Sequence, residues 1–258
     1  MLSASNMPLP HGHHGLPEHD RPTTVLLLPS FTIVDNVTPS SVPDLIRGFI
    51  DYAPTTTTPL GVLPESPEII TTNGTSNGSA STPITDHNPP HETSSSSSAN
   101  ELTRPVSPVV SHPFSSRPCP HLAVILLCSQ KTRDARCGQS APLLRREFER
   151  HLRHLGLYRD LHDERPGGVG IYFISHVGGH KFAANVMVYR RGAINRDGND
   201  DGDKAIGSAE ASQGIWLARV RPEDCEGIVK FTVLKGKVVK PDRQLRGGFD
   251  RARALVSW

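Results

Sequence analysis

Apolar and polar positions alternate in more than one way along this chain, and each pattern predicts a different kind of segment. In "TTVLLLPSFTIVDNV" two short apolar runs flank a Pro-Ser turn, which predicts a strand, a turn and a second strand. "SSVPDLIRGFIDYA" follows, with Ser at the cap and Leu45, Ile46, Phe49 and Ile50 on one helical face. Together they form a partial β–α region over residues 23–53, short for an independent core.

From residue 119 the patterning is continuous. "HLAVILLC" is an apolar run of buried-strand type. "SAPLLRREFERHLRHLGL" predicts a helix capped by Ser140 with Pro142 in its first turn. Leu144, Phe148, Leu152 and Leu155 form its stripe, and Gly156 ends it. "GVGIYFISH" and "FAANVMVYRR" predict strands on either side of a short turn. "NRDGNDDGDKAIGSAEAS" is an acidic loop and "GIWLARV" a further strand, and "RPEDCEGIVKFTVLKG" predicts a helix ending near Gly236. The order β–α–β–β–β–α is what a thioredoxin-like sandwich requires, so the expected class is α/β with a thioredoxin-like domain over residues 119–250.

Composition accounts for the remainder. Residues 54–118 carry "TTTTP", "NGTSNGSAS" and "SSSSS", too few large apolar side chains to offset an ordering cost of about 1–2 kcal/mol per residue. They read as a disordered linker or a long insertion, residues 1–22 as a Pro/His-rich disordered tail, and residues 251–258 as a C-terminal tail. With 28 basic and 26 acidic side chains the net charge is +2, too balanced for nucleic acid or an anionic membrane as the main partner. No apolar run approaches the roughly 20 residues of a membrane span, and no targeting segment is apparent. Cytoplasm is therefore the expected location, with the mitochondrion as the alternative. Four cysteines are too few for a disulfide scaffold and fit a reducing compartment.

The candidate chemistry lies at two strand ends. In "CSQKTRDARCG" Cys128 closes an apolar strand, and Cys137 follows nine residues later, just before the helix. In "SHVGGHKFA" His176 and His180 flank a Val-Gly-Gly turn, where Gly178 and Gly179 let the backbone fold tightly. Carboxyl ends of strands are where open α/β sheets build their sites. Two thiols and two imidazoles suit zinc or an iron–sulfur cluster. His-x3-His fits zinc, but C-x8-C is wider than the usual knuckle, and a loop with Lys131, Arg133 and Arg136 has room for something larger. Spacing alone leaves both open. Lys181 either offsets cluster charge or is solvated. Cys119 and Cys225 read as structural thiols, His151, His154 and His162 as solvated, and Trp216 as core. A dithiol oxidoreductase lacks its C-x-x-C, and no paired carboxylates support glycoside hydrolysis.

"CSQKTRDARCG", "SHVGGHKFAANV" and "GIWLARVRPEDCEGIV" together resemble the sucrase/ferredoxin-like family of thioredoxin-like 2Fe–2S ferredoxins, notably its fungal actin-patch-distribution and altered-inheritance-of-mitochondria types. The likeness covers residues 119–250, and "VLLLPSF" with the following helix looks like part of the family's N-terminal region, shortened here. The resemblance implies a 2Fe–2S cluster held by Cys128, Cys137, His176 and His180. It also implies an electron carrier in redox homeostasis with an unknown redox partner protein, rather than an enzyme with its own substrate. Replacing two thiolates by neutral imidazoles removes negative charge around a cluster. In Rieske centres this raises the potential from about −400 mV to between roughly −150 and +300 mV. The alternative is a zinc-stabilised structural or interaction module on the same ligands. Finally, "ALVSW" ends in Trp258, which resembles the Trp tail by which some clients engage the cytosolic iron–sulfur assembly targeting complex.

Overall fold

A strand that is apolar at every position must have both faces of its sheet covered. The run Ala123–Cys128 is such a strand, buried along its whole length. The computed structural model describes residues 2–10, 17, 21–61, 114–175, 177, 182–192 and 209–257. In chain order its elements are β1 (Thr23–Leu27), β2 (Thr32–Val37), α1 (Val42–Leu45, widening into a π-helical turn over Ile46–Ile50), β3 (Ser115–Pro118), β4 (Ala123–Cys128) and α2 (Ala135–His154). Then come β5 (Tyr158–Arg159), β6 (Val169–Ile174), β7 (Val186–Arg190), β8 (Gln213–Leu217), α3 (Cys225–Gly227, continued through Ile228–Val233), α4 (Pro241–Gln244), β9 (Leu245–Asp250) and β10 (Leu255–Ser257).

Seven strands form one sheet in the order β10-β9-β8-β7-β4-β6-β5. β4 runs parallel to β6 and antiparallel to β7, which is antiparallel to β8. With α2 connecting β4 to β6 and α3 following β8, this is the thioredoxin-like arrangement expected from the element order. One face carries Ile125, Leu127, Val186 and Val188 against Leu144, Phe148 and Leu152 of α2 and Ile228, Val229 and Val233 after α3. On the other face Val124, Leu126, Tyr172 and Met187 meet Phe31 and Ile33 of the β1–β2 hairpin. Phe31 is fully buried there, a contribution of about 2–3 kcal/mol. β3 pairs antiparallel with β2, although it lies at the end of the stretch whose composition reads as linker.

Several local expectations change. α2 starts at Ala135 rather than after Ser140, because Asp134 supplies the cap. Leu45 is buried and Phe49 packs beside it, while Ile46 and Ile50 are 41% and 44% exposed, so the four do not share one covered face. "LRGGFD", within the Gly-rich and charged stretch before Trp258, forms β9. Residues near the start also engage the sheet beyond the short β5: Ser175 N–H donates to Ala4 O at 2.8 Å and Phe173 N–H to Asn6 Oδ1 at 2.7 Å.

Candidate metal centre

The end of β4 is shaped by backbone bonds on both sides. Cys128 N–H donates to Asn185 O (3.1 Å) before β7, and Ser129 N–H donates to Ile174 O (2.9 Å) at the end of β6. The chain then loops back. Asp134 N–H donates to Gln130 O at 3.1 Å, and the Asp134 carboxylate accepts from Arg136 N–H at 3.0 Å, capping α2. Cys137 therefore stands in the first helical turn instead of in a loop before the helix.

This fold-back brings Cys128 and Cys137 together. Their side chains are hydrogen-bonded, and the Val177 N–H is directed at the Cys128 sulfur. The two residues are 1% and 0% exposed. Burial pushes the Cys128 thiol up to about 11; the Val177 N–H opposes this, while Cys137 and Asp134 add to it. At neutral pH Cys128 thus keeps its proton until a cation displaces it. Two sulfur donors in contact, shielded from water and beside a helix N-terminus, suit a soft metal. The fit is met for the two donors described.

His176 and His180 lie outside the described residues, as do Gly178, Gly179, Lys181 and Trp258. Among the described residues no group of three or more His, Cys, Asp or Glu could hold a metal ion. Of the sequence-derived ligand set, the structure brings Cys128 and Cys137 together. Cys119 and Cys225 are buried elsewhere; burial pushes Cys225 up to about 12. Trp216 is half-buried, and its Nε1 is shielded without a hydrogen-bond partner.

Sequence reasoning missed Asp134 and Asn185. Asp134 carried a readable signal, a cap residue three positions before Cys137. Asn185 did not. Its carbonyl takes the Cys128 N–H and its side-chain amide donates to Phe182 O at 3.2 Å, closing the turn into β7.

A sucrase/ferredoxin-like family model matches residues 1–247. The chain belongs to the sucrase/ferredoxin-like family. Its similarity to actin patches distal protein 1 of Saccharomyces cerevisiae is 40% identity over 119 residues, 46% of this chain and 32% of the relative. Against altered inheritance of mitochondria protein 32 of Clavispora lusitaniae it is 33% over 129 residues, 50% of the chain and 36% of the relative. The chain thus spans about a third of the length of these curated relatives. No solved structure matches this sucrase/ferredoxin-like chain. Among its described residues no helix is long and apolar enough to cross a membrane.

Proposed function

We propose that this sucrase/ferredoxin-like chain is an electron-transfer protein holding a 2Fe–2S cluster on Cys128, Cys137, His176 and His180. The observation that carries the reading is the meeting of Cys128 and Cys137, nine positions apart, with Val177, which the sequence sets between His176 and Gly178, donating to the Cys128 sulfur. When bound, the cluster supplies one reversible electron. The chain's own residues have separate tasks. Cys128 and Cys137 offer the sulfurs, the Val177 N–H withdraws charge from one of them, and the α2 N-terminus favours negative charge at the other.

We place this activity in the cytoplasm, with four cysteines outside any disulfide matching a reducing compartment. The relatives' name, altered inheritance of mitochondria, makes the mitochondrion the competing location. Trp258 is the proposed contact with the iron–sulfur assembly targeting complex. Trp258→Ala should lower iron per chain in cells without lowering Tm.

The deciding experiment is anaerobic purification from iron-replete cells with an absorption spectrum and iron, sulfide and zinc analysis. About two irons and two sulfides per chain, lost in Cys128→Ala or Cys137→Ala, is the expected result. A colourless protein with stoichiometric zinc would replace the cluster by a zinc-stabilised interaction module.

A further inference from the structure

The sheet edge that ends in Cys128 carries a second arrangement. There β4 and β8 end while β7 and β9 begin. Phe182 precedes β7, Arg219 follows β8 and Arg246 is the second residue of β9. The Arg246 guanidinium lies 3.4 Å from the Phe182 ring centroid, and that of Arg219 lies 5.0 Å from the same centroid. Two cations share one aromatic ring. Arg246 also sits 5.5 Å from the Trp216 ring.

Neither arginine is neutralised by the described part of the fold. Among the described residues no carboxylate pairs with Arg219 or Arg246, and Arg246 Nη1 is shielded from water with no hydrogen-bond partner. Burial and the neighbouring Arg219 both push the Arg246 pKa down, the signature of a charge held against opposition. The backbone is constrained to place them. Arg219 has φ 55° and Ala184 φ 50°, left-handed conformations disfavoured for residues with a side chain. Arg219 N–H donates to Ala183 O at 2.9 Å and Val220 N–H to Ala184 O at 3.3 Å, clamping the two turns together. Strain of this kind, held in place by neighbouring bonds, is concentrated at functional positions.

The same edge bears Lys131 and Arg133, exposed in the loop after Cys128 and likewise without a carboxylate partner among the described residues. On the outer face of α2 the pattern is different: Arg145 pairs with Glu149 and Arg150 with Glu147. With adjacent strands about 4.8 Å apart, the cations run from β4 to β9 over about 15 Å. That span exceeds one small anion and matches a run of carboxylates on a protein surface.

We propose that the Arg219–Phe182–Arg246 stack is the anchor of a docking surface for an acidic protein partner. A stacked guanidinium keeps its orientation without a carboxylate of its own, so its donors are directed before the partner arrives. The proposal rests on the electron-transfer reading for the reason a partner must approach this edge. The cations, unpaired among the described residues, stand without it.

The test is fluorescence anisotropy of a labelled hexaglutamate peptide, which extends to about 20 Å, titrated with the full chain at low, constant ionic strength. Expected is binding that weakens about tenfold in Arg219→Gln/Arg246→Gln. Arg146→Gln, an exposed arginine on α2, should leave it unchanged, and labelled hexaglutamine should not bind. Arg219→Gln alone, an exposed side chain, guards against misfolding and should show part of the loss. Phe182→Leu keeps both charges and should also weaken binding. No binding by the wild type, or equal binding by the double variant, overturns the proposal. Complete displacement by inorganic phosphate at matched ionic strength also overturns it in favour of a small-anion site. Iron measured on the same samples separates the two readings. Iron-free chain that binds through these arginines sinks the electron-transfer reading alone, whereas iron-loaded chain indifferent to their loss sinks only the docking surface.

Discussion

Lys131 rests on the bare Cα of Gly138: a Cβ at Gly138 would come within 2.5 Å of the Lys131 Cβ and 2.7 Å of its Cα. The neighbour is backbone, so a flexible side chain cannot simply move aside. This close approach lets the loop after Cys128 lie flat on the first turn of α2, and so lets two cysteines nine positions apart touch.

Gly138→Ala should therefore lift that loop and separate the sulfurs. Iron per chain is expected to fall by half or more, with an overpacking loss of about 1–3 kcal/mol in urea unfolding. Gly227→Ala is the control, since its Cβ would meet only Val239 Cγ2 at 3.8 Å. It should keep its iron and gain up to about 1 kcal/mol from helix propensity. Equal iron in the two variants would show that the loop contact does not set the cysteine geometry.

His176→Cys and His180→Cys should each retain a cluster and lower its potential, because a thiolate adds negative charge where a neutral imidazole stood. The shift should exceed 100 mV, on the order of half or less of the difference between Rieske and plant-type centres. Redox titration with unmoved potentials in both variants argues against histidine ligation.

His121 sets a limit in acid. It is 3% exposed, its Nε2 lies 3.1 Å from the Tyr172 hydroxyl, and its Nδ1 has no partner. Burial, with help from Arg159, lowers its pKa from 6.5 to about 4. The folded state holds the ring neutral while the unfolded chain takes a proton below about 6.5. Its contribution is complete above that pH and is lost as pH falls toward 4, up to about 3 kcal/mol. Unfolding free energies at pH 7, 5.5 and 4.5 should follow this slope in the wild type and lose part of it in His121→Gln. Parallel slopes would place the acid sensitivity elsewhere.

Arg251 ties remote parts of the chain together. Its buried guanidinium pairs with Glu210 at 2.6 Å and donates to Thr58 O, Pro59 O and Ala211 O at 2.6, 3.1 and 3.1 Å. Arg251→Ala should cost about 3–5 kcal/mol, since it breaks a buried ion pair with Glu210 and removes three hydrogen bonds to backbone carbonyls. Arg251→Lys should recover little, because an ammonium cannot reproduce the planar fork. Thermal unfolding with Tm unchanged in Arg251→Ala would remove this clamp from the account of stability.

Sequence by itself determined the elements whose signal is local. "AVILLC" is apolar at consecutive positions, and Leu144, Phe148 and Leu152 recur at helical spacing; such periodicity needs no distant partner to be read. The Cys and His residues were legible as ligand types for the same reason. Tertiary structure decided what depends on residues far apart in the chain. Ser140 and Asp134 are both acceptable caps by type, and the loop packed on Gly138 goes with the earlier start. "LRGGFD" shows no strand periodicity of its own until β8 is beside it. Gly214 then leaves room for the Phe249 ring, and the two strands pair. The meeting of Arg219 and Arg246 on Phe182 had no local trace at all. It exists because strands distant in sequence end at one sheet edge, and strand pairing draws its energy from cross-strand neighbours rather than from the segment alone.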